Sequence, residues 1–433
     1  MNDRNQALDT FRANLRKAVS KRTRVTDGDE VTASPRRKRS QRATDSKYVR
    51  YQLVEVDGYL DWEDATDAMP SFVRRRRGTG GVSTTGALGS LEFEKLEPSQ
   101  VTDFLAARDL WLTPERGLRR FNQASGKLER QPAPADGNVL LLIHGTFSNG
   151  DNFVNSLLGT PDGGAFLKDA DKKYKGNVFA FDHATLSVGP LLNAMDVARA
   201  FSGSKAKVDV ISHSRGGLVT RWWCEAFDPM GVCVQKAILV GSPLAGTGLA
   251  APPRLKSAIR LLTYIGKAAG QIAGLASSAV PVLAVVEVLL QVLTTMTEWT
   301  AKTPLIDAAV AMIPGLFAQS RVGNNPELLR LLQTPPTIPD RYYGVLSNFE
   351  PDDPLWAFWR FFRADRLANA GADLVFEGKN DLVVDTSSMT QLTDKIVIPK
   401  KQLFDFGDSN RVHHLNYFDE IDTLNFLRGV LKI

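Results

Sequence analysis

The stretch Val208–Gly217, VDVISHSRGG, is an apolar run that ends abruptly in small residues around Ser214. A buried strand followed by Ser-His-Ser-Arg-Gly-Gly has the form of a nucleophile elbow, in which a serine sits on a strained turn between strand and helix. Small residues two before and two after it let the backbone fold tightly enough to expose Oγ. Here those positions are Ser212 and Gly216, so serine stands where the G-x-S-x-G pattern has its first glycine. Upstream, Val139–Gly150 reads VLLLIHGTFSNG, an apolar strand broken by His-Gly and then by a polar loop. A strand followed by such a loop is suited to stabilising an oxyanion, and each backbone N–H held in place can contribute roughly 3 to 4 kcal/mol to that charge. The expected donors are the N–H groups of Thr146 and Arg215. Both are backbone roles, which leaves their side chains nearly free to vary.

Downstream, Asp373–Met389 (DLVFEGKNDLVVDTSSM) places Asp381 in a loop after a hydrophobic stretch, with Asp385, Asp373 and Glu377 as nearby alternatives. Arg411–Glu420 (RVHHLNYFDE) supplies the adjacent pair His413 and His414. The chemistry-bearing residues therefore run Ser, Asp, His along the chain. His144 and His213 lie inside motif loops and are expected to order them. His183 has no motif and reads as a capping or surface residue.

With these motifs in order, residues 138–425 resemble the α/β-hydrolase superfamily, in its serine esterase and lipase branch, and are similar to bacterial lipases and inositol-deacylase-like hydrolases. The matching segments beyond the elbow are His144-Gly145, Gly241–Thr247 (GSPLAGT), Asn380–Val384 (NDLVV) and His414–Phe418 (HLNYF). The resemblance selects Asp381 as the acid, from the apolar residues after it, and His414 as the base, from its spacing to Tyr417-Phe418. It implies a mostly parallel, doubly wound sheet and a Ser214–His414–Asp381 triad working through an acyl-enzyme. No cofactor is implied.

Composition bounds the remaining possibilities. The chain has 433 residues, 43% apolar and 23% charged, ordinary globular values that allow a large core. Its two cysteines, Cys224 and Cys233, have no histidine pair at ligand spacing, so no metal site is readable and both are expected to pack. So few cysteines fit a reducing compartment. The glycine cluster Gly78–Gly81 lacks the strand-to-helix context of a phosphate-binding loop. Residues 1–50 hold 14 Lys and Arg against 6 Asp and Glu, a net of +8, while the whole chain carries +5, so the rest is at −3. The basic balance therefore belongs to the N-terminal end. It suits an anionic surface, but no aromatic residues are interleaved for base stacking, and nucleic acid is not expected as a partner. The first 20 residues carry charges throughout and offer no apolar leader core, which leads to an expectation of a cytosolic start, with leaderless export left open.

Three parts are expected: a basic, disordered tail over residues 1–47, a β-rich N-terminal extension with edge strands over 48–135, and a hydrolase domain over 136–433 with a helical cap at about 250–335. The cap includes Ala268–Val286, nineteen residues without a charge, interrupted by Pro281. That length reaches a membrane span, but its small and polar residues and its place inside the hydrolase favour cap helices. The functional expectation is a carboxylic ester hydrolase acting on lipid acyl esters, with peripheral membrane contact through cap and tail. The alternatives are a membrane-associated binding module on the same scaffold and a thioesterase or acyltransferase of the same fold.

Overall fold

The computed structural model describes residues 2–27, 47–56, 59–65, 84–250, 255–271, 276–300, 313–321, 325–352, 376 and 378–433. They fall into two compact units, Met1–Val101 with Lys256–Ala309, and Thr102–Leu255 with Val310–Ile433.

The first unit joins helix α1 (Asn2–Ala18), strands β1 (Thr23–Asp27), β2 (Tyr48–Val56), β3 (Tyr59–Asp64) and β4 (Thr84–Glu94), and two long helices, α7 (Leu255–Ala269) and α8 (Ala276–Thr300). The strands form an antiparallel sheet in the order β1-β4-β2-β3. The expectation of a disordered tail over residues 1–47 is therefore corrected for its first part. Phe11, Leu15 and Ala18 recur at helical spacing and are buried, which gives α1 an apolar stripe between its charges. Residues 28–46, including the Pro35–Arg39 cluster, lie outside the described residues, as does Gly78–Gly81.

The expected cap also divides. Helices α7 and α8 share their core with the N-terminal strands. The Trp62 indole donates to Thr263 Oγ1 at 2.9 Å, Arg260 pairs with Asp61, and Thr294 meets the Tyr51 hydroxyl. Glu287, fully buried in α8, accepts from the Ser20 N–H and Gln291 Nε2 and from the Thr23 hydroxyl. α8 is apolar on nearly all sides, with Leu283, Val285, Val286 and Val292 buried, and a helix of that kind needs cover around most of its circumference. Pro281 lies inside it, in the second turn. Among the described residues no helix is long and apolar enough to cross a membrane.

The second unit is built on an eight-stranded sheet of order β12-β11-β10-β9-β7-β8-β5-β6. β7 (Asn138–Ile143), β8 (Val178–Asp182), β9 (Lys207–His213), β10 (Val234–Val240), β11 (Tyr342–Phe349) and β12 (Leu403–Ser409) are parallel. β5 (Gly117–Asn122) and β6 (Lys127–Arg130) form an antiparallel edge. β7 explains why its sequence is an unbroken apolar run: Val139, Leu141 and Ile143 enter one core and Leu140 and Leu142 the other. Helices cover both faces, so every residue of the run is buried and no polar alternation is needed. One core takes Ala194 and Val197 of α5 (Pro190–Ala200) and Leu218 and Val219 of α6 (Gly216–Trp222). The other takes Phe153 of α3 (Gly150–Leu158), Phe166 of α4 (Pro161–Lys173), and Leu424 of the helix Ile421–Leu431.

The chain leaves β7 for β8 on one side and then crosses to β9 on the other. The loops after β7 and β9 thus open from the carboxyl ends of neighbouring parallel strands that lead in opposite directions, the place where open α/β sheets form sites. This is the α/β-hydrolase fold.

Candidate active site

The elbow follows directly from close packing. Ser214 has φ +54°, in the left-handed region, between the end of β9 and the start of α6. Such a conformation costs a non-glycine residue about 1 to 3 kcal/mol and persists only where its surroundings impose it. A Cβ on Gly216 would lie 2.5 Å from the Ile143 carbonyl oxygen, one on Gly145 2.7 Å from Ser214 Cβ, and one on Gly217 2.2 Å from Ser242 Oγ. Three glycines therefore let β7, the elbow and the loop after β10 close on one another. At the first elbow position Ser212 fits in place of glycine: it is fully buried and its hydroxyl donates to the Ile238 carbonyl at 3.3 Å.

Ser214, His414 and Asp381 are brought together. Ser214 Oγ lies 2.9 Å from His414 Nε2, and His414 Nδ1 lies 2.8 Å from Asp381 Oδ2. With the ring proton on Nδ1 facing the carboxylate, Nε2 is left to accept the serine proton. Asp381 is fully buried and every oxygen is engaged. Oδ1 accepts from the N–H groups of Val383 and Val384 at 3.1 and 2.9 Å, while Oδ2 accepts from His414 and from the Tyr417 hydroxyl at 2.9 Å. The backbone closes the same loop, since the His414 N–H donates to the Asp381 carbonyl at 2.9 Å. Gly241, at φ +55°, passes beside all three: a Cβ there would sit 2.8 Å from the Tyr417 ring, 3.1 Å from Asp381 Oδ2 and 3.3 Å from His414 Nδ1.

The alternatives go elsewhere. His413 is buried edge-on against Phe349, its Nδ1 accepts from the Leu415 N–H, and burial drives its pKa down to about 3, so it stays neutral. Asp385 forms an ion pair with Arg321 at 3.1 Å. Asp373 and Glu377 lie outside the described residues. His213 packs 4.8 Å from the His414 ring, with Nε2 on the His414 carbonyl, and burial, reinforced by His414, lowers its pKa to about 3.

The loop after β7 is ordered by an arrangement that the sequence did not disclose. His144 Nδ1 meets the Gly145 carbonyl at 2.8 Å, and its Nε2 accepts from the His183 N–H at 3.1 Å. The two rings stack with centroids 4.0 Å apart. His183 is therefore corrected from a capping or surface residue to a buried one, held neutral first by burial and then by the neighbouring His144. Among the described residues, the backbone N–H groups of Thr146 and Arg215 donate to no protein acceptor; Arg215 directly follows Ser214, and Thr146 follows Gly145, whose Cα packs against Ser214.

The expectation that the Arg215 side chain is free to vary is also corrected. It is fully buried and donates to the Val188 carbonyl, to Asn193 Oδ1 at 2.8 Å and to the Gly315 carbonyl at 3.3 Å. Burial lowers its pKa to about 10, which leaves it cationic at neutral pH. The cysteines carry no comparable chemistry: burial pushes both Cys224 and Cys233 up to about 12, so both stay as thiols. Among the described residues no three His, Cys, Asp or Glu side chains gather as a metal site.

The second unit thus has the α/β-hydrolase fold, with a serine, a histidine and an aspartate in one hydrogen-bonded row. The chain belongs to the family defined by DUF7379, a domain of unknown function, which matches residues 113–432. No curated protein matches it in sequence. Among solved structures it is similar to the mature lipase BlEst2 of Bacillus licheniformis, at 14% identity over 71% of this chain and 95% of that one, with a TM-score of 0.38. Lipase 1 of Pelosinus fermentans is 13% identical over 70% of this chain and 98% of that one, with a TM-score of 0.41. Phospholipase PlaB of Legionella pneumophila is 14% identical over 59% of this chain and 46% of that one, with a TM-score of 0.32.

Proposed function

We propose that the protein is a serine hydrolase of carboxylic esters, with Ser214 as nucleophile, His414 as general base and acid, Asp381 as the group that orients His414, and the N–H groups of Thr146 and Arg215 as the oxyanion hole. The observation that carries this reading is the unbroken hydrogen-bond chain from Ser214 Oγ through His414 to a fully buried Asp381. His414 Nε2 takes the serine proton as Oγ attacks the acyl carbon. Charge then grows on the carbonyl oxygen, where two fixed N–H dipoles stabilise it. The C–O bond to the alcohol breaks as His414 returns the proton to the leaving oxygen, which leaves the acyl group on Ser214. Water, deprotonated by the same nitrogen, attacks that ester, and the acid departs as the proton returns to Oγ. Asp381, engaged at both oxygens, remains an acceptor throughout and stabilises the imidazolium formed in each half.

Lipid acyl esters stand first in the proposed substrate series. The apolar stretch of α8, expected to contact lipid as part of the cap, is buried. The lipid assignment therefore rests on the resemblance to lipases.

The test is labelling with an active-site fluorophosphonate, mapping of the modified residue, and an ester series of increasing acyl length. Labelling at Ser214 that disappears in Ser214→Ala, with turnover rising along the series, is expected. Absence of labelling and turnover on every ester would favour a binding role for the scaffold, and turnover only of thioesters would reassign the substrate class.

A further inference from the structure

α2 (Val101–Leu112) is arranged against the usual rule for a surface helix. It exposes Leu110 and Trp111, at 57% and 44%, and buries Arg108 and Asp109, at 5% and 0%. Burying a carboxylate is unfavourable unless strong donors surround it, and Asp109 is surrounded by one short segment. Its Oδ1 accepts from the N–H groups of Thr185 and Leu186 at 2.7 and 2.9 Å and from the Thr185 hydroxyl at 3.5 Å. Its Oδ2 accepts from the Ser187 N–H at 2.7 Å and the Ser187 hydroxyl at 2.6 Å. One carboxylate thus fixes three consecutive residues of the loop after β8.

That loop touches both sides of the oxyanion hole assigned above. On one side, Thr185 Oγ1 accepts the N–H of Phe147 at 3.3 Å, and Phe147 directly follows Thr146 and stands in the left-handed region at φ +62°. On the other side, the Val188 carbonyl accepts from the guanidinium of Arg215, whose own N–H is the second donor. The Leu186 carbonyl accepts from the Gly315 N–H at 2.9 Å, and the Gly315 carbonyl in turn receives Arg215 Nε. A Cβ on Gly315 would lie 1.9 Å from the Thr185 carbonyl oxygen, so the two segments meet without room to slide.

We infer that Asp109 is a positioning residue for the oxyanion hole: by clamping Thr185–Ser187 it sets the separation between the Thr146 and Arg215 N–H groups. The inference rests on the ester-hydrolase reading and concerns only the geometry of its transition state. Donors that are poorly placed lose value in the transition state far more than in substrate binding, because the charge they meet has not yet formed in the ground state.

The experiment compares wild type, Asp109→Asn and Thr185→Val on a p-nitrophenyl ester, with rates normalised to sites titrated by fluorophosphonate. Affinity for a trifluoromethyl ketone, whose adduct with the serine places an oxyanion in the hole, is measured alongside. Asp109→Asn is expected to lose about 100-fold in kcat, the scale of one misplaced donor, with KM within about threefold and ketone affinity falling in parallel. Thr185→Val, which removes the hydroxyl that receives Phe147 and donates to Asp109 at 3.5 Å while leaving the backbone donors to Asp109 in place, is expected to lose about tenfold with the same split. If Asp109→Asn fails to fold, Thr185→Val decides. A lower titratable fraction with unchanged kcat per site and unchanged ketone affinity would make the clamp purely structural and overturn the inference. A wild type that neither labels nor turns over would instead overturn the hydrolase reading beneath it.

Discussion

Tyr417 Oη donates to Asp381 Oδ2 at 2.9 Å, the same oxygen that receives His414 Nδ1 at 2.8 Å. The acid is thereby held from the side as well as from its own loop, and the hydroxyl shares the charge that orients the base. Tyr417→Phe keeps the ring and removes this donor from a fully buried pair, at an expected loss of about 1 to 3 kcal/mol in stability. Urea denaturation measures that loss, and kcat on an ester should fall while labelling at Ser214 persists.

Ser214→Ala should reduce turnover on the order of a million-fold with the fold intact, and His414→Ala should match it. His413→Ala removes a neutral ring packed on Phe349 and should lower the melting temperature while leaving most of the turnover of the folded fraction. Steady-state rates normalised to folded protein separate the two histidines. Equal losses in both variants would contradict the assignment of the base.

Gly241→Ala introduces a methyl group 2.8 Å from the Tyr417 ring at a backbone angle that L residues rarely adopt. Loop and ring must separate, and Asp381 and His414 move with them. The expected outcome is a loss above about 2 kcal/mol in stability, together with slow fluorophosphonate labelling. Normal labelling rates would show that the triad tolerates displacement of the loop after β10.

Burial lowers the pKa of His413 to about 3, against an ordinary value near 6.5. A depressed pKa means that the unfolded chain binds the proton first. The stability associated with neutral His413 is complete above pH 6.5 and is lost as pH falls from there towards 3, by up to about 1.4 kcal/mol per pH unit. His144 and His183 are shifted in the same direction. Unfolding free energy measured from pH 7.5 to 5 should therefore drop steeply, and His413→Gln should flatten the slope by close to one proton. An unchanged slope would exclude His413 as a source of acid lability.

The residues whose placement depends on neighbours in the chain are legible in the sequence. The elbow at Ser214, the loop after His144-Gly145, Asp381 ahead of its apolar residues and His414 before Tyr417 each announce themselves within about ten positions, because tight turns and buried strands restrict residue type locally. What the sequence hid depends on distant partners. Asp109 is one acid in a helix without a motif, and its role appears only where Thr185–Ser187 is folded against it. His183 looked incidental until its ring lay on His144. For the Arg215 side chain, nothing nearby in the sequence predicts the carbonyls of Val188 and Gly315 as its acceptors. α1 is hard to see in the sequence because its apolar stripe is thin and set among charges.

Glu287 receives Ser20 and Thr23 from across more than 260 residues of chain. β1, β2, β3 and β4 therefore have no finished core until α8 follows, long after β7, β8, β9 and β10 have been made. Contacts this far apart in sequence form late and slowly. The N-terminal sheet must wait for α8 with its apolar face uncovered, and the sheet carrying Ser214 waits longer still, for β11 and β12. That interval is the stage of biogenesis at which the chain most needs protection from aggregation.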